Sequence, residues 1–111
     1  MKLSNEDNNN LNKDLDRGVL LEAKPKVRKP PMYNVLLLND DYTPMEFVVG
    51  VLTMFFNKTI DEADVLTAEI HKHGKGIAGI YPLEIAETKL RQAMKLARKE
   101  EHPLSIKLES E

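Results

Sequence analysis

The chain contains no cysteine, which rules out a disulfide framework, a thiolate nucleophile and a cysteine-based zinc site. No apolar run approaches the roughly 20 residues that a helix needs to cross a bilayer, and the first residues lack the charged-then-apolar layout of a secretory signal. A cytoplasmic protein without membrane attachment is therefore expected. An excess of either charge is missing as well, since 16 Lys and Arg are interspersed with 18 Asp and Glu for a formal net charge of −2. Such a chain sets up no broad basic field, so neither nucleic acid nor an anionic membrane is an expected partner. With 111 residues, 41% of them hydrophobic, one small domain is expected and a deep enclosed active site is not.

What is present divides at Pro30-Pro31. Residues 1–31 carry Asn8-Asn9-Asn10, alternating Asp and Lys, and a basic, Pro-containing stretch from Lys24 to Lys29. That segment has too little apolar surface to offset chain entropy, so a mobile tail is expected, with Val19-Leu20-Leu21 as its one docking segment. Residues 32–111 read as the folded core. Met32 to Leu38 is an apolar run bounded by Pro30-Pro31 and Asn39, which predicts a buried strand. Thr43-Pro44-Met45-Glu46 has the form of a capping box in which Thr43 accepts from the Glu46 amide. Phe47, Val48, Val51, Leu52, Phe55 and Phe56 follow as one apolar stripe, predicting a helix packed on the sheet.

A second capping box, Thr59 to Glu62, opens a helix with Ala63, Leu66 and Ile70 on its inner face and a stop near Gly74. Gly76 to Tyr81 is a short apolar run whose two glycines predict a strand with close backbone approach. Pro82 starts a long helix with an inner face of Ile85, Ala86, Leu90, Ala93, Met94 and Ala97. His102-Pro103 ends it, and Ser105 to Glu109 alternates as a final strand. The order β-α-α-β-α-β predicts a two-layer α+β domain: a three-stranded antiparallel sheet with its helices on one face.

Residues 39–47, Asn-Asp-Asp-Tyr-Thr-Pro-Met-Glu-Phe, lie where the first strand ends and the first helix begins. Hydrogen-bonding groups are left over at such a junction. The segment reads either as a working site or as a solvated Asn/Asp turn. Other signals are plainer. His71 and His73 splay about 200° apart on a helix and do not chelate one metal. Asp40-Asp41 lacks the alternating oxygen ligands of a calcium loop. Taken singly, Met45 is ordinary core, and Glu84, Glu87 and Lys89 form a solvated helix face.

Asn39-Asp-Asp-Tyr-Thr-Pro-Met-Glu-Phe47, His71 with Gly74, Gly76 and Gly79, Ala86-Glu-Thr-Lys89 and His102-Pro-Leu104 occur in one register. Together they resemble the ClpS family of bacterial N-degron adaptors, from about Pro30 to Leu108. The resemblance implies a non-enzymatic, cofactor-free, monomeric adaptor. It would bind proteins that begin with Leu, Phe, Tyr or Trp and deliver them to the N-terminal domain of the ClpA unfoldase of the ClpAP protease. It assigns the α-ammonium group to Asn39, Asp40 and His71, with Asp41 and Thr43 supporting the loop. An amide oxygen, a carboxylate and a neutral imidazole nitrogen suit an ammonium group, which only donates. The implied side-chain pocket comprises Met45, Val48, Thr67, Ile70 and Leu104, and the implied unfoldase contacts are Glu84 and Lys89.

Two positions depart from the family pattern. Thr67 stands where a large apolar residue is usual. It either enlarges the pocket or, as the favoured expectation, turns its hydroxyl to the carbonyl four residues earlier and presents only its methyl. At Pro82 the long helix lacks a preceding side-chain cap. A ribosome- or translation-factor-binding module is the second functional reading, because the element order is similar to the ribosomal L7/L12 carboxyl-terminal domain; it leaves Asn39, Asp40 and His71 unexplained. An enzyme using His71 as a base lacks a Ser or Cys nucleophile.

Overall fold

The computed structural model of the protein describes residues 29–111. The expected tail, with Val19-Leu20-Leu21, therefore lies outside the described residues apart from exposed Lys29 to Pro31. In order, the elements are β1 (Met32–Leu38), α1 (Met45–Phe55), α2 (Ile60–His73), β2 (Lys75–Pro82), α3 (Leu83–Lys99) and β3 (Ser105–Ser110). β1 is central in a three-stranded sheet of order β2-β1-β3, and both pairings are antiparallel. The two-layer α+β expectation holds.

A central strand is covered by a neighbour on each edge, which is why β1 reads as a nearly unbroken apolar run. Val35 and Leu37 point into the core with Ile106 of β3 and Ala78 of β2, while the register places Leu36 on the opposite face beside half-exposed Ile77. A bulge opposite Val35 and Leu36 lets β2 keep Ala78 buried. Fully burying a side chain the size of Leu37, Leu52 or Leu104 stabilises the fold by about 1.5–3 kcal/mol each.

The helices are cut as their local chemistry directs, with instructive exceptions. The second capping box forms in full: Thr59 Oγ1 accepts from the Glu62 amide at 3.1 Å and the Glu62 carboxylate accepts from the Thr59 amide at 2.9 Å. α2 stops at Gly74, whose φ of 91° is left-handed. Replacing Gly74 by Ala should destabilise the protein by about 1–2 kcal/mol, the cost of a Cβ in that conformation, read as a lowered denaturation midpoint. At Gly76 the close approach comes from side chains, not backbone: a Cβ there would sit 2.7 Å from Ile70 Cγ1.

α1 approaches α2 and α3 most closely, and its Val48, Val51 and Leu52 share one core with Val35 and Leu37 of β1. Two expectations need correction. Ile85 is 48% exposed, although the apolar periodicity of α3 assigned it to the inner face. The buried stripe of α3 is made of Ala86, Ala93 and Ala97, and the small side chains let the helix sit close to all three strands. Pro82 closes β2 and occupies the cap position of α3 without a side-chain bond, so the helix proper begins at Leu83.

Candidate functional site

The chain leaves β1 at Leu38 and turns at once. The Asn39 amide donates to the Gly74 carbonyl at 2.8 Å, tying the exit of β1 to the C-terminal end of α2. The left-handed turn at Gly74 thus brings His71 beside Asn39 although 32 positions separate them (71 − 39). Both side chains are exposed, and neither is engaged by another described residue.

Asp40 organises the turn into α1. Its Oδ1 accepts from the amides of Tyr42 at 2.8 Å and Thr43 at 2.7 Å, and its Oδ2 accepts from the Thr43 hydroxyl at 2.7 Å. The expected capping box at Thr43 is consequently not made. A charged carboxylate outcompetes a neutral amide for the hydroxyl, and Pro44 takes the cap position of α1 with no side-chain bond. Partial burial pushes the Asp40 carboxyl up, but the hydrogen bonds from Thr43 and Tyr42, aided by the charge of His102, outweigh it and hold the group below its ordinary 3.8. A carboxylate offers about four lone-pair sites, so Oδ2 keeps acceptor capacity. Because the pKa is depressed on folding, the charged form stabilises the loop above the ordinary value, and that contribution is lost as pH falls through the lowered one.

Asn39, Asp40, Asp41, Thr43 and His71 form the polar rim of one depression of about 330 Å³. Its floor is apolar, made by buried Leu37, Val48, Ile70 and Leu104, with Thr67 among them. Met45, 50% exposed at the start of α1, flanks the opening. Every expected ammonium and pocket residue therefore lines the same cavity. Leu37, Leu38, Tyr42 and Pro44 line it too and were not anticipated; the position of Leu37 and Leu38 immediately before Asn39 was the available signal. His102 was also missed as a neighbour: its ring meets Phe47 edge-on at 4.5 Å, and Arg98 donates to its carbonyl at 2.7 Å, steadying the segment that delivers Leu104.

Thr67 departs from expectation. Its hydroxyl is buried and has no hydrogen-bond partner, so the bond to the Ala63 carbonyl is not made. Two other helical threonines do make such bonds, Thr53 to the Gly50 carbonyl at 3.0 Å and Thr88 to that of Glu84 at 2.9 Å.

The remaining expected site residues lie elsewhere. Glu84 is exposed in the first turn of α3, beside a groove with Pro30, Pro31, Leu83 and Ile85. Lys89 lies five positions on, about 140° around the helix. It leans on α1: its Nζ donates to the Phe55 carbonyl at 2.7 Å and stands 5.2 Å from the Tyr81 ring centre. Among the described residues no three His, Asp or Glu side chains are grouped to hold a metal ion, and no helix is long and apolar enough to cross a membrane.

Residues 28–107 match the family model described as ATP-dependent Clp protease adaptor protein ClpS. An ATP-dependent Clp protease adapter protein ClpS from Parvibaculum lavamentivorans is 56% identical over 94 residues, covering 85% of this chain and 86% of that protein. The protein of the same name from Rhodospirillum centenum is 53% identical over 94 residues, covering 85% of this chain and 87% of that one. Among solved structures, Agrobacterium tumefaciens ClpS2 bound to L-phenylalaninamide superposes with a TM-score of 0.72 at 37% identity, covering 75% of this chain and all of that one.

Proposed function

The chain belongs to the ClpS family of Clp protease adaptor proteins, and from that premise we propose that its depression captures proteins by an unblocked amino-terminal Leu, Phe, Tyr or Trp for delivery to the ClpA unfoldase. The observation that carries this reading is the division of the cavity into a rim of acceptors and a floor of buried aliphatic side chains. A free amino terminus presents a cation and a side chain a few ångströms apart, and only a site with both halves uses both. L-phenylalaninamide, the ligand of the related ClpS2, is such a molecule: a free amine next to an aromatic side chain. Asn39, Asp40 and His71 receive the ammonium group; Met45, Val48, Thr67, Ile70 and Leu104 surround the side chain. Asp41 and Thr43 hold the loop, Thr43 through its bond to Asp40.

The protein acts by binding, in the cytoplasm, as a monomer that needs no cofactor. Handing over requires a second surface, for which Glu84 and Lys89 are the residues. The test is a titration against peptides that differ only in their first residue: tight binding confined to Leu, Phe, Tyr and Trp supports the reading, and indifference to the first residue refutes it.

Met45 sets the upper limit on branching. Half-exposed at the opening, it is the side chain we assign to excluding a methyl on the Cβ of the incoming residue. Met45→Ala should therefore admit peptides beginning with Ile or Val while Leu still binds, a gain of specificity range through loss of a clash. A variant that loses a few kcal/mol of stability with unchanged selectivity would return Met45 to an ordinary packing role.

A further inference from the structure

We propose that the Thr67 hydroxyl reads the polar tip of the captured side chain, favouring a first-residue tyrosine over phenylalanine. The inference rests on the capture of amino-terminal residues set out above and adds to it a basis for ranking them.

Thr67 is the one polar side chain among the buried residues of the floor, at 4% exposure, and its hydroxyl has no partner. A buried unpaired hydroxyl is costly, and a helical threonine ordinarily avoids that cost by donating to a carbonyl one turn back. Thr53 and Thr88 do so in this same protein. At Thr67 that bond is not made. Its oxygen is covered in the free protein, and threonine divides between two χ1 rotamers in helices, so rotation about χ1 is what brings the hydroxyl to the cavity that Thr67 lines. The other buried residues of the floor, Leu37, Val48, Ile70 and Leu104, have no hydrogen-bonding side-chain atom to offer. A polar group on the captured side chain would supply the missing partner.

A tyrosine hydroxyl can both donate to and accept from a threonine hydroxyl, whereas phenylalanine has the same ring with no such atom. Phenylalanine leaves the Thr67 hydroxyl unpaired. One neutral hydrogen bond in a buried setting corresponds to about a three- to tenfold difference in affinity. The apolar contacts of the two rings are otherwise alike, so the ratio of the two dissociation constants isolates the hydroxyl.

The experiment titrates the full-length protein and its Thr67→Val and Thr67→Ser variants with two peptides identical except for a first-residue Tyr or Phe. The wild type should bind the Tyr peptide about three- to tenfold more tightly. In Thr67→Val, which keeps the shape and removes the hydroxyl, the ratio should fall to one or below, since the tyrosine hydroxyl is then the group left without a partner; Thr67→Ser should retain the preference. The melting temperature of free Thr67→Val should equal or exceed that of the wild type, because an unpaired buried hydroxyl has been replaced by a methyl. Equal wild-type affinities overturn the inference without recourse to any variant, and so does a Tyr preference that survives in Thr67→Val. If neither peptide binds the wild type, the capture reading itself fails and this one falls with it, an outcome distinct from binding without discrimination.

Discussion

Acetylating the amino terminus of a Leu- or Phe-initiated peptide should abolish its binding, and Asn39→Ala or His71→Ala should each weaken the unblocked peptide by about 10- to 100-fold. A hydrogen bond to a charged group is worth about 1.5–3 kcal/mol net, and each 1.4 kcal/mol is a factor of ten. The two residues reach the site from different elements, Asn39 from the end of β1 and His71 from the last turn of α2. Both side chains are exposed, so neither substitution should disturb folding. Native circular dichroism and melting with unaltered affinity would show that the rim does not receive the amine.

Acid sharpens the same test. An imidazole accepts only when neutral and only donates once protonated, so a rim that relies on one should bind less tightly at about pH 5 than at about pH 7.5. Asp40 does not share in that decline: its pKa lies below the ordinary 3.8, so its carboxylate and the loop it closes persist across the whole interval. An unchanged melting profile over this range separates loss of binding from loss of the fold. Equal affinity at the two pH values would count against an accepting role for His71.

Reversing charge on α3 should separate capture from delivery. Glu84→Lys should eliminate the complex with the ClpA N-terminal domain in a pull-down while leaving peptide affinity and melting temperature unchanged, since Glu84 is exposed and the substitution sets like charge against a surface matched to the original sign. Lys89→Glu is a compound change. It removes the donor to the Phe55 carbonyl and places a carboxylate at the negative end of α1, costing about 1 kcal/mol or more of stability. It should thus lose the complex and melt at a lower temperature. If Glu84→Lys retains full complex formation, the delivery surface lies away from the start of α3.

How far the chain could be read without its structure depended on the range of each interaction. The Thr59–Glu62 box and the Gly74 stop were legible because each is settled within one turn of helix, and among the described residues nothing else competes for those groups. The antiparallel three-stranded sheet followed from element order and apolar periodicity. Asn39 and Asp40 were conspicuous in the sequence as polar residues with no helix or strand to satisfy them.

The tertiary structure decided every case in which two partners competed for one group. Thr43 had the sequence of a cap, but the folded loop put the Asp40 carboxylate 2.7 Å from its hydroxyl, and the charge prevailed over a neutral amide. Lys89 looked solvated by periodicity, yet α1 ends beneath it with an unsatisfied carbonyl. Ile85 matched the inner stripe, but close helix packing on alanines turned it outward. Thr67 had a local partner available one turn back and did not take it. Sequence alone determines what each residue is able to bond and which neighbours lie within about four positions of it. Which of several acceptors is nearest, and which hydroxyl is left without a partner, depends on distances between elements far apart in the chain, and only packing sets those.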